Sequence, residues 1–104
     1  MSSLDKGKIR EFLMLVNDPE FEIDIVNLGL VYDIQVQDSK VKIVMTLTSM
    51  GCPAAPLIET KVKNVVRLIE GVKDVEVEWT FDPPWDLSKM TKEGRDFMEY
   101  SGYL

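Results

Sequence analysis

Residues 31–48 constrain the fold more than any other stretch of the chain. Tyr32, Ile34 and Val36 alternate with Asp33, Gln35 and Gln37. After the turn-prone pair Asp38-Ser39, Val41, Ile43, Met45 and Leu47 alternate with Lys42, Val44, Thr46 and Thr48. Successive side chains on a strand point to opposite faces, so each run presents one apolar and one polar face. Two such runs joined by two turn residues predict a β-hairpin with strands over 31–37 and 40–48. Its apolar face must be covered by other parts of the chain.

The covering elements have helical periodicity. Ile9, Phe12, Leu13 and Val16 fall at i, i+3, i+4 and i+7, which predicts a helix over 4–16. Asn17-Asp18-Pro19-Glu20 ends it, because the position before proline resists helical geometry. The stretch 21–30 has no clear period, and Gly29 marks a turn or a tight approach before the first strand. Ile58, Val62, Val65, Val66 and Ile69 predict a second helix over 54–70 with Gly71 as its C-terminal cap. Val75, Val77, Trp79 and Phe81 alternate with Glu76, Glu78 and Thr80, a third strand over 75–81. Asp82-Pro83-Pro84-Trp85 then breaks the sheet and reads as a rigid edge and packing element. Asp86 or Ser88 caps a last helix to about residue 100, with Met90, Phe97 and Met98 toward the body. The expected fold is a small α+β sandwich of one domain over 1–104, in the order α-β-β-α-β-α. Its three-stranded mixed sheet is the hairpin plus a crossover strand, covered by helices.

Composition narrows the function. The formal net charge is −6, and the nearest basic cluster, Lys61, Lys63 and Arg67, is flanked by Glu59 and Glu70 as on a solvated helix face. A nucleic-acid partner, which needs a basic face, is not expected. The chain opens SSLDKGKIREF after Met1 and holds no long apolar run, which reads as a cytoplasmic protein with no membrane association. There is no histidine and only one cysteine. Serine–histidine and cysteine–histidine catalysis, a histidine zinc site and an internal disulfide are therefore all excluded. No self-contained catalytic constellation is left, and an enzyme is not expected.

That one cysteine, Cys52, stands in TSMGCPAAPLIE, where a strand stops and a helix begins. Pro53 or Pro56 suits a first helical turn, and Gly51 leaves room for a close approach. A thiol facing the amides of a helix N-terminus is drawn toward thiolate. A small buried core cysteine is the competing reading. Thr46 and Thr48 lead into the turn, and their composition reads as strand threonines on a solvent face. Glu59 lies about two helical turns past Cys52 and reads as a solvated helix carboxylate. Asp24 interrupts the apolar Ile23, Ile25, Val26 and reads as a local turn cap.

Three separated stretches, DPEFEIDIVNLGLVYDI (18–34), MTLTSMGCPAAPLIE (45–59) and GVKDVEVEWTFDPPW (71–85), resemble the SufT/PaaD-like family, also called the MIP-eighteen-like family of metal–sulfur cluster biosynthetic proteins. The resemblance spans nearly the whole chain and keeps the order and spacing of the motifs. It implies a small α+β domain that helps form iron–sulfur clusters or deliver them to client proteins. Cys52 matches the family's reactive cysteine. Asp24, Thr46 and Thr48 match polar motif positions, and Glu59 matches a frequently acidic one. Met50 stands where many relatives have proline. A cysteine-rich C-terminal extension, found in members that serve phenylacetate ring oxidation, is missing before Leu104, which lowers that reading.

The resemblance implies an accessory protein with Cys52 as a thiolate ligand or transfer residue for iron or an iron–sulfur cluster. One thiolate is short of the usual set of about four ligands. The rest would come from a scaffold, a client apoprotein or a second copy of the chain, since a symmetric homodimer brings two Cys52 sulfurs together. Two alternatives stand beside it: an adaptor that docks client apoproteins without touching metal, and an accessory protein of a phenylacetate-type ring oxygenase.

Overall fold

A computed structural model describes residues 5–19, 23–48 and 54–100. The elements in order are α1 (Lys6–Leu13), α2 (Ile25–Leu28), β1 (Val31–Gln37), β2 (Lys40–Met45), α3 (Ala55–Arg67), β3 (Asp74–Trp79), a 3-10 turn (Leu87–Lys89) and α4 (Lys92–Tyr100). The expected α-β-β-α-β-α order is present, with α2 and the 3-10 turn added to it.

The hairpin forms where the alternation puts it, with Gln37 opposite Lys40 and Ile34 opposite Ile43. Asp38 takes the turn at φ 57°, a left-handed conformation that aspartate tolerates better than most residues. β3 runs parallel to β2, with Val41 opposite Val75 and Met45 opposite Trp79, and the sheet order is β1-β2-β3. A parallel neighbour needs a crossover, which α3 provides. α1 and α3 lie side by side on the apolar face, α1 against β1 and α3 against β3. Ile9 and Leu13 meet Ile58, Val62 and Val66 over Val41, Ile43 and Met45, all of them fully buried. The other face carries Gln35, Gln37, Lys40, Lys42, Glu76 and Glu78, with ion pairs Lys40–Glu76 (3.5 Å) and Lys42–Glu78 (2.6 Å).

Several expectations change. β2 ends at Met45, and Met45, Thr46 and Leu47 are all buried, so Thr46 is not on a solvent face. The Thr46 amide donates to the Leu30 carbonyl (2.9 Å) and the Thr80 amide to the Met45 carbonyl (2.8 Å), so neighbouring chain encloses this end of the strand on both sides. β3 ends at Trp79, leaving Phe81 exposed. Asp86 caps only the 3-10 turn, through the Ser88 amide (2.8 Å). Thr91 caps α4 instead, accepting from the Gly94 amide (3.0 Å), and this rotates Phe97 outward while Met90 and Met98 stay buried. The unassigned stretch before β1 contains α2, capped by Asp24 and closed by Gly29 at φ 86°.

Candidate functional site

Residues 71–75 of the third motif stretch lie at the hairpin end of the sheet, but the topology brings part of each stretch to the opposite end. β2 and β3 are parallel and finish there, and antiparallel β1 starts there. α2 feeds β1, and α3 begins after β2. In open α/β sheets this end, outside the carboxyl ends of parallel strands, is the usual place for a ligand.

Asp24 has both carboxylate oxygens engaged within α2. Its Oδ2 accepts from the amides of Val26 (3.1 Å) and Asn27 (2.9 Å), and its Oδ1 accepts from Asn27 Nδ2 (2.7 Å). These bonds hold the orphan donors of the first turn of α2, as an N-cap does. The turn-cap reading of Asp24 therefore describes its contacts. Glu59 is half-buried rather than solvated. Its Oε1 accepts from Trp79 Nε1 (2.8 Å) and its Oε2 pairs with Lys63 Nζ (3.1 Å). The indole first, and then Lys63, hold the Glu59 carboxyl below the ordinary range, against a smaller upward push from burial.

Thr46 is fully buried, and Thr48 beyond it is half-buried. Next to Thr46 stands Tyr32, which sequence reasoning passed over as a strand position. Burial raises its pKa, a hydrogen bond with Thr46 opposes that rise, and Asp86 adds to it. The phenol donates to the Pro83 carbonyl (2.8 Å), and Lys89 Nζ lies 5.9 Å from the ring centroid. Asn27, Trp79 and Thr91 were missed as well. Each meets a partner far away in sequence, and no local pattern marks such a partner.

α3 starts from Ala54 with no side-chain cap and with proline in its first turn. Its leading amides are thus left without an intrahelical partner and carry the partial positive charge of a helix start. Gly51 and Cys52 lie outside the described residues. Asp24, Thr46 and Tyr32 belong to one side of this end, and Glu59 with Trp79 to the other. Among the described residues, no group of three or more acidic, histidine or cysteine side chains could hold a metal ion. No helix among them is long and apolar enough to cross a membrane.

Comparison with known proteins identifies the family and supports the fold. The family model described as "Iron-sulfur cluster assembly protein" matches residues 6–79. The Fe-S protein maturation auxiliary factor YitW of Bacillus subtilis is 49% identical over 88 residues, covering 84% of this chain and 86% of that one. The Fe-S protein maturation auxiliary factor SufT of Staphylococcus aureus is 51% identical over 79 residues, covering 75% and 90%. A solved structure of a conserved hypothetical protein from Thermotoga maritima superimposes with a TM-score of 0.80 at 43% identity, covering 98% of this chain and 99% of that one. The chain belongs to the iron–sulfur cluster assembly protein family.

Proposed function

We propose that the chain is an auxiliary factor in the maturation of iron–sulfur proteins, one that takes an iron–sulfur cluster or iron as cargo and passes it to client apoproteins. The observation that carries this reading is the meeting of α2 and the start of β1, the end of β2 and the end of β3, each within one of the motif stretches, at the sheet end where α3 starts uncapped. Cys52 precedes that start by two positions in the sequence. A thiol there loses its proton more readily, and thiolate is the form that binds iron. Transfer is then a ligand exchange without net redox change: a scaffold thiolate leaves iron, the Cys52 thiolate takes its place, and a client thiolate later displaces Cys52.

The remaining ligands come from outside the chain. Both oxygens of Asp24 and both of Glu59 are already engaged, and one thiolate falls short of the usual set of about four ligands. Scaffold and client thiolates, or the Cys52 of a second copy, complete the set. Such incomplete coordination suits cargo that must be released. The role is non-catalytic and cytoplasmic, and residues 1–104 act as one domain.

Anaerobic reconstitution with iron and sulfide tests the assignment. The wild type is expected to develop cluster absorption with an acceptor protein present, and Cys52→Ser to develop little. In a strain deleted for the factor, the wild type should restore an iron–sulfur enzyme activity and Cys52→Ala should not. Full restoration by Cys52→Ala would instead identify an adaptor that never touches metal.

A further inference from the structure

After β3 the chain turns back across the end of the sheet just described. From Pro83 onward it bonds to α2 and to the start of β1. Trp85 Nε1 donates to the Leu28 carbonyl (2.8 Å). The Thr91 amide donates to the Asn27 carbonyl (3.0 Å), and the Thr91 hydroxyl donates to Asn27 Oδ1 (2.6 Å). Asn27 Nδ2 in turn donates to Asp24. Two glycines make this closeness possible, since a Cβ on Gly29 would run into the Lys89 carbonyl and one on Gly94 into the Asn27 carbonyl. Met90 and Met98 enter the core beneath, and α4 packs on α2.

We propose that residues 83–98 form a strap that positions the functional end of the sheet, fastened by the relay Asp24–Asn27–Thr91 and by the Tyr32 phenol on Pro83. The path to the site is continuous in bonds. The strap fixes α2, and the Leu30 amide donates to the Ile25 carbonyl of α2 (2.9 Å). The Leu30 carbonyl accepts from the Thr46 amide (2.9 Å), and Thr46 precedes Cys52 by six positions in the sequence. The second fastening reaches Thr46 from the other side through Tyr32. Asp24 and Thr46, which the family resemblance marks as site residues, act here as anchor points of the strap. Asn27, Tyr32 and Thr91 are positioning residues that touch no cargo.

Continuity of contacts is not itself coupling, so the test measures coupling directly. Amide hydrogen exchange is followed by NMR in the full chain for wild type, Thr91→Val, Tyr32→Phe, the double variant and Thr91→Ser. Each of the first two variants should speed exchange of the Thr46 amide by about fivefold or more, as expected for one lost hydrogen bond in a relay. The double variant should depart from the product of the singles, and Thr91→Ser, which keeps the hydroxyl, should exchange like wild type. Faster exchange confined to α4, with Thr46 unchanged, overturns the proposal. A second arm rests on the maturation role and uses the deletion strain. Thr91→Val with Cys52 intact should lower client activity severalfold, with rescue by Thr91→Ser, and full activity of Thr91→Val overturns positioning. Failure of the wild-type gene to restore the client would count against the maturation role instead, and the exchange arm would still decide the strap.

Discussion

The two ends of the sheet are built in different ways. At the hairpin end, Gln37, Asp38, Ser39 and Lys40 are consecutive, and the Ser39 carbonyl accepts from the Lys73 (2.9 Å) and Asp74 (3.4 Å) amides through backbone alone. At the other end long-range backbone bonds are joined by four long-range side-chain fastenings: Trp79 to Glu59, Tyr32 to Pro83, Trp85 to Leu28, Thr91 to Asn27. A local turn specifies itself, whereas an end tied together by distant groups forms only after the rest of the chain has folded. The second kind of construction places side chains from several elements around one point, as a site requires.

The sharpest way to break this contrast is Gly29→Ala. Gly29 sits at φ 86° beneath the Lys89 backbone, so alanine meets both a strained conformation and a strap that must move aside. The two together should cost about 3 kcal/mol or more. For a domain of this size, that lowers the thermal midpoint by more than about 10 °C. Thermal unfolding followed by circular dichroism measures it. A loss below about 1 kcal/mol would mean that the strap yields freely and that this end is no more tightly specified than the hairpin.

A smaller effect is expected on the α3 side of the same end. Glu59→Gln removes a charge that accepts from Trp79 and pairs with Lys63. A charge-assisted bond of this kind, discounted for partial exposure, contributes about 1 kcal/mol. The folded carboxyl titrates below its ordinary range. Its contribution is therefore complete above the pKa of the unfolded chain, and it fades as pH falls from there through the lowered folded value. Denaturant midpoints at neutral pH should separate wild type from Glu59→Gln, and the gap should close as the buffer is taken down through that acidic window. A gap independent of pH would mean that Glu59 acts by packing rather than by charge.

The same contrast explains what could be read from the sequence. The hairpin and crossover helix were legible because the signals are local: period-two alternation in 31–37 and 40–45, and the spacing of Ile58, Val62, Val65, Val66 and Ile69 in α3. Thr46 was misplaced because alternation describes a strand with one wet face, and here two other segments enclose the strand's end. Phe97 was misplaced because the cap of α4 turned out to be Thr91, chosen by its contact with Asn27 across the molecule. The motif stretches were recognisable as a family pattern, yet the work of Asp24 as a cap bonded to Asn27 shows only in three dimensions.

The least effect should come from Asp38→Gly, and its smallness matters to the comparison. Asp38 adopts the left-handed conformation at φ 57°. Glycine would remove the steric cost of that conformation, which is at most about 1 kcal/mol for aspartate. It would also make the unfolded chain more flexible, at a cost of roughly 0.5–1 kcal/mol. The two terms oppose each other, and the backbone bonds from Ser39 to Lys73 and Asp74 involve no side chain of residue 38. The net change in stability should stay within about 0.5 kcal/mol of zero, measurable as a nearly unchanged urea midpoint. A change above about 1 kcal/mol in either direction would show that the hairpin end depends on more than its own four residues, and the distinction between a locally coded end and an assembled one would then have to rest on the strap alone.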